Sequence, residues 1–254
     1  MNECVPQVHF ELIEIKNLQS NQNYQRNLYA QHIRRAAANY CPYQVNPIKV
    51  SRRDGQNFVI NGQHTIEIIA LVSGSRDTPV WCMVYDDLQY QLEADIFANQ
   101  QKFVKILSPY EIFMAHIEAG SDEHHVIRDL VESHGLIISP KRVPGGVCAI
   151  ATMECVFFKH GYHVLDRVLR LCVAAWEGEP QSLSANMLNA VTRLIATFGD
   201  GLKDDGFFER VGEMLPRDIS RLAREIRPGS LGYAEVMLMA YNQRRRDALD
   251  IARL

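Results

Sequence analysis

Asp54-Gly55 and Gly62-Gln63-His64-Thr65 are the residues of this chain whose types and spacing could hold an anion. Asp-Gly is a strong hairpin signal, because a tight turn between strands needs positive φ and glycine supplies it without strain. It predicts strands over Pro47 to Ser51 and Asn57 to Asn61. Past Gly62 the pattern becomes Ile66, Ile69, Ala70 and Ser73, the three-and-four spacing of a helix face. The first amides of such a helix have no internal acceptor and sit at the positive end of its dipole, which suits a phosphate. The competing reading of Gln63 and His64 is that they cap this helix and bond the preceding hairpin. His64 and Glu67, three apart, also have a spacing found in metal sites. An enzymatic reading would take His64 as general base with Glu67 or Asp54 beside a metal.

The elements around this junction are legible in outline. Val8 to Ile15 alternates apolar and polar residues and reads as one strand or two short ones. Tyr29, Ile33, Ala36, Ala37 and Tyr40 mark a helix that stops before Pro42. Pro79 to Tyr85 is a further strand, and Leu88 to Gln101 begins a nearly unbroken helical series. Ser108 caps the next helix, with Pro109 in its first position and Glu111 in its third, and Ser121 starts another that runs to His134. Gly135 is a helix stop, with a short extended piece at Ile137-Ile138 and a turn over Lys141 to Gly146. Helices are expected over Ala149 to Lys159, Val164 to Trp176, Leu183 to Phe198, Phe207 to Leu215, Arg217 to Ile226 and Tyr233 to Ala252. The expected fold class is α+β: a small mixed-sheet domain over residues 1–135, then an all-helical domain over 136–254.

Composition narrows the function classes. With 254 residues, 47% hydrophobic and 22% charged, the chain is an ordinary globular one. No apolar run is long enough to span a bilayer, and the first residues lack a signal-peptide pattern, so a cytoplasmic location and no membrane partner are expected. The six cysteines, at 4, 41, 82, 148, 155 and 172, are scattered and read as reduced and mostly buried. Cys148, Cys155, His160 and His163 fit no familiar zinc spacing, and the two cysteines fit one core-facing helix side. His124-His125 beside Asp122 and Glu123 reads as a solvated helix face, and no metal site is assigned. A net charge of −3 argues against coating nucleic acid through bulk electrostatics. Local basic faces remain at Arg217, Arg221, Arg224 and Arg227, three and four apart on a helix, and at Arg244-Arg245-Arg246. The DNA-contact candidates are Arg217, Arg221, Arg224, Arg244, Arg245 and Arg246. The alternative is a hydrated face with Asp218, Glu225 and Asp247 interleaved.

The stretch Arg53-Asp54-Gly55 to Val59-Ile60-Asn61-Gly62-Gln63-His64 resembles the second conserved box of the ParB-like/sulfiredoxin superfamily, in the "DGQHR" form of phage and mobile-element proteins. Ala98-Asn99-Gln100-Gln101-Lys102 and Leu107-Ser108-Pro109-Tyr110-Glu111 are similar to its third box, and Tyr24-Gln25-Arg26 stands at the place of the first. Leu165 to Trp176 and Tyr241-Asn242-Gln243-Arg244-Arg245 extend the likeness into the helical half. The resemblance implies a ParB/sulfiredoxin-like first domain in which Gly62, Gln63, His64 and Thr65 face the phosphates of CTP or ATP with Mg²⁺. Asn99, Gln101, Lys102 and Arg26 would approach the same pocket. The expected partners are a nucleotide, DNA and a second copy of the chain, in partition, regulation or mobile-element biology. Two departures weaken the pattern. Thr65 stands where the box has Arg, and Ala98 replaces the acid that opens the third box. The sulfiredoxin branch has a reactive cysteine where this chain has Gln63, so cysteine phosphoryl transfer is excluded on the motif. The alternatives are a nuclease or nucleotide-dependent phosphotransferase, and a degenerate module that mediates assembly.

Overall fold

Asp54 and Gly55 both take positive φ, 48° and 72°, in the computed structural model, and close the two-residue hairpin expected of them. The structure describes residues 6–243 and 245–254, so Cys4 and Arg244 lie outside the described residues. The chain divides into two compact units, one ending at Lys105 and one beginning at Ile106.

The first unit is built on five strands, β1 (His9–Glu14), β2 (Leu18–Ser20), β3 (Ile48–Arg53), β4 (Gln56–Asn61) and β5 (Pro79–Asp86), in the order β1-β5-β3-β4-β2. The sheet is mixed: β1 with β5 and β3 with β4 are antiparallel, whereas β3 with β5 and β2 with β4 are parallel. Helices α1 (Ala30–Ala37), α2 (Gln63–Ser73) and α3 (Tyr90–Asn99) complete the unit. Period-two alternation sends Ile13, Ile48, Val50, Val59, Val80, Cys82 and Val84 inward, where Ile66 and Ile69 of α2 meet them in one core.

The second unit is largely helical. It comprises α4 (Pro109–Glu118), α5 (Asp122–Ser133), α6 (Ile150–His160), α7 (Tyr162–Trp176), α8 (Ala185–Phe198), α9 (Asp204–Arg210), α10 (Pro216–Ile226) and α11 (Ser230–Asn242). A two-residue parallel ladder, β6 (Ile137–Ile138) with β7 (Gly146–Val147), interrupts the helices. Ser108 makes the full capping box with Glu111 that its sequence predicts.

Three expectations change. The sequence reading ends the first domain at residue 135, yet Phe113 and Ile117 of α4 and Ile127, Leu130 and Val131 of α5 pack in the same core as Leu169, Val191 and Tyr241. The final helix ends at Asn242 rather than near Ala252, because the Asn242 side chain both donates to Leu249 O and accepts from Leu249 N at 2.8 Å, folding the tail back. Of the described cysteines only Cys82 and Cys172 are buried, and Cys155 is exposed on α6. Among the described residues no helix is long and apolar enough to cross a membrane.

Candidate anion site at the strand-to-helix turn

Strand β4 runs into α2 through Gly62, whose φ of 111° and ψ of 12° place it in the left-handed region. A Cβ here would lie 2.6 Å from Ile48 Cδ1 and 3.3 Å from Ile48 Cγ2, so the turn needs glycine for conformation and for space. The amide of Ile66 bonds Gly62 O at 3.0 Å and starts the helical ladder. No side chain caps α2. The amides of Gln63, His64 and Thr65 therefore point out of the helix start as free donors among the described bonds, at the positive end of an eleven-residue helix.

Gln63 and His64 neither cap the helix nor bond the β3–β4 hairpin. Both hold the segment before α1. The buried Gln63 side chain donates from Nε2 to Arg26 O at 2.7 Å, and its Oε1 has no partner among the described residues. His64 Nε2 accepts the Tyr29 amide at 3.3 Å, which requires the lone pair on Nε2 and leaves the proton on Nδ1. The imidazole lies parallel to the Tyr29 ring, 6.5 Å between centroids, and edge-on to His32 at 5.5 Å. Burial, then the Arg26 charge, then His32 hold the His64 imidazole below its usual range. The Arg26 guanidinium thus acts on the turn through its field, while its carbonyl anchors Gln63. Gly62 and Thr65 line a cavity of about 370 Å³ together with Asn39, Gln44, Asn46 and Asn61. This is the size and polarity of a small-ligand pocket.

The third-box residues do not join these groups through any described bond. Asn99 turns back to Asp95 of its own helix, at 3.1 and 2.9 Å, and the Lys102 ammonium lies 5.5 Å from the Phe103 ring centroid. Gln101 follows the end of α3 in a turn. What α3 does contribute is Glu93, which the sequence reading passed over. Fully buried, Glu93 accepts from Arg53 Nε at 2.5 Å and from Tyr24 Oη at 3.5 Å. Arg53 in turn sits 4.3 Å over Phe58. Burial, reinforced by the Glu93 carboxylate, pushes the Tyr24 phenol up to about 12. No sequence pattern links Arg53 to Glu93, forty residues apart.

The catalytic candidates are dispersed. His64 Nε2 is taken by the Tyr29 amide, Glu67 is held by Arg76 at 2.9 and 3.1 Å, and Asp54 sits in the hairpin turn at the opposite end of β4. No cluster of three or more His, Cys, Asp or Glu side chains suited to a metal occurs among the described residues. The donors around Gly62, amides with a hydroxyl and carboxamides, fit phosphate oxygens; they do not fit Mg²⁺, which wants carboxylates beside the substrate phosphates.

In the second unit, Arg217, Arg221 and Arg224 lie exposed on α10. Arg221 reaches Glu225 at 3.2 Å, and Arg224 reaches Ser220 at 3.3 Å. Arg245 differs: its guanidinium bonds Tyr241 Oη at 2.7 Å and Asp247 at 2.6 Å, and only 12% of its side chain is exposed. Arg246 is exposed. His124 corrects the reading of a solvated face, since it is buried between Ser121 Oγ at 2.7 Å and Glu154 at 3.1 Å, with His116 stacked at 4.3 Å. Its spacing from Ile127 and Val131, three and seven residues, was the signal that placed it on the inner stripe.

No curated protein matches the chain. Among solved structures, the C-terminally truncated chromosome-partitioning protein ParB from Caulobacter crescentus, complexed with CTP-gamma-S, is similar at 12% identity with a TM-score of 0.40. That similarity covers 74% of this chain and 99% of that one. A family model matches residues 19–253, spanning both units, and the chain belongs to the family it describes, a family of unknown function designated DUF6551.

Proposed function

We propose that the first unit is a ParB-like module that binds the phosphates of a nucleoside triphosphate, CTP or ATP, at the Gly62 turn. The observation that carries this reading is the uncapped start of α2, which leaves three amides unspent among the described bonds and whose Gly62 and Thr65 line a cavity of about 370 Å³. Gly62 lets the backbone approach closely, Thr65 adds a hydroxyl donor, and Arg26 supplies nearby positive charge. Mg²⁺ would be held through the triphosphate, since the turn has no free carboxylate of its own. Binding without strong catalysis is the expected activity, because His64 and Glu67 each serve other partners and Asp54 sits in the hairpin turn at the far end of β4.

The test is calorimetric titration of the whole chain with CTP and ATP, with and without Mg²⁺, beside a Thr65→Asp variant. Aspartate in the third helical position suits the dipole and preserves α2, but it occupies the amides and repels phosphate. The variant should bind roughly tenfold more weakly or worse while keeping its thermal stability. No heat with either nucleotide refutes the proposal. It would leave the turn as a structural lock, in which Gln63 and His64 fasten residues 26–29 onto α2.

A further inference from the structure

The geometry points to a second anion site, in the helical unit, built for a phosphate-bearing ligand and including residues far from the arginine-rich helix in sequence. A cavity of about 580 Å³ is lined by Arg217, Arg221 and Arg224 of α10, by Arg142 from the β6–β7 connection, and by Ser184 and Asn186 at the start of α8. Four guanidinium groups face this space against one lining carboxylate, Glu225, which is already paired with Arg221. Arg142 and Arg217 have no partner among the described residues. Their charge is uncompensated within the unit, and planar guanidinium forks bind phosphate oxygens bidentately.

Backbone donors strengthen the same sign. Ser184 stands at the N-cap of α8 without making a side-chain cap bond, so its hydroxyl and the amides of Ala185, Asn186 and Met187 are unspent among the described bonds. The start of α10, Pro216 and Arg217, borders the same cavity, bringing a second helix N-terminus to it. Two positive helix ends and four arginines, the arginines from two separate segments, converge on one nucleotide-sized space. A hydrated face of a single helix would need none of the contributions from Arg142, Ser184 and Asn186.

The ligand chemistry is a phosphate or phosphodiester, and it has two sources: a free phosphorylated small molecule, or the backbone of a nucleic acid. The experiment uses the full chain carrying Thr65→Asp, so that the Gly62 turn does not contribute. It is titrated in parallel with inorganic pyrophosphate and with a short DNA duplex over a range of salt, with and without Arg142→Glu plus Arg217→Glu. Both substitutions are at exposed residues without described partners, and a Glu early in α10 favours the helix, so folding should survive and is checked by circular dichroism. Saturable pyrophosphate binding assigns a free phosphate ligand. Duplex binding with a slope of log affinity on log salt of roughly −3 assigns a nucleic-acid backbone. In either arm the double substitution should weaken binding about tenfold or more. Binding of neither probe, or an affinity left within about twofold by the double substitution, overturns the proposal.

Discussion

Replacing Gly62 by alanine tests the turn on which the first unit depends. Two costs add. The left-handed φ of 111° penalises any residue with a Cβ by about 1–2 kcal/mol. The new Cβ would also lie 2.6 Å from Ile48 Cδ1, in a core where Ile48 is 1% exposed and cannot swing into solvent, which adds about 1–2 kcal/mol of overpacking. The sum is about 2–4 kcal/mol. Gly55→Ala provides the control: its φ is 72°, yet nothing lies within 4 Å of the added Cβ, so only the backbone cost of about 1 kcal/mol applies. Ile48→Val removes Cδ1 and should recover about 1 kcal/mol in the Gly62→Ala background, visible as coupling in a double-mutant cycle. Native-state hydrogen exchange of the β3, β4 and α2 amides, read by mass spectrometry, reports the opening energy of this unit separately from the helical one. Equal costs for Gly55→Ala and Gly62→Ala, or no coupling to Ile48, would show that the close approach to Ile48 does not hold the turn.

Two further predictions concern His64 and Glu93. The His64 pKa lies below its ordinary 6.5, so the unfolded chain binds more protons than the folded one just under that pH. The His64 contribution to stability should be complete above about pH 6.5 and decline as the pH falls through the folded value; NMR titration of the ring at or above 6.5, or an unchanged acid slope in His64→Gln, would contradict this. Glu93→Ala strands the Arg53 guanidinium against Phe58 and should cost about 2–4 kcal/mol, somewhat under the full range for a buried pair because Arg53 keeps a quarter of its side chain in water. Exchange of the α3 amides measures it, and a loss below about 1 kcal/mol would mean that the pair does not anchor α3.

What could be read from the sequence was local. The hairpin, the capping box and the Gly62 turn are each set within a few neighbouring residues, where φ preferences and side-chain reach decide the outcome. Tertiary consequences were not legible. Gly135 does take φ 70° and ends α5, but a helix stop does not say which core the helix joins, and α4 and α5 belong to the helical one. The pattern after Asn242 continues to look helical through Ala252, and only the carboxamide clasp on Leu249 ends the helix there. Arg53–Glu93 and the convergence of Arg142 with α10 bring together residues forty and more positions apart, with no periodicity to mark them.

The departures of this chain from the resembling boxes acquire a physical meaning at the turn. With Thr65 where the resembling box has arginine, the donors at the turn are neutral amides and a hydroxyl, and the fixed charge nearby is that of Arg26. Burial and Arg26 both lower the His64 pKa and so disfavour its imidazolium. In the proposed site, a bound triphosphate would reverse this balance, because its negative field would offset Arg26 and favour the imidazolium. Protonation would in turn break the Tyr29 amide bond, since Nε2 would then be a donor. In the proposed site, phosphate binding and proton uptake by this ring would therefore favour one another as the pH falls, loosening the Tyr29 contact while Gln63 still holds Arg26 O.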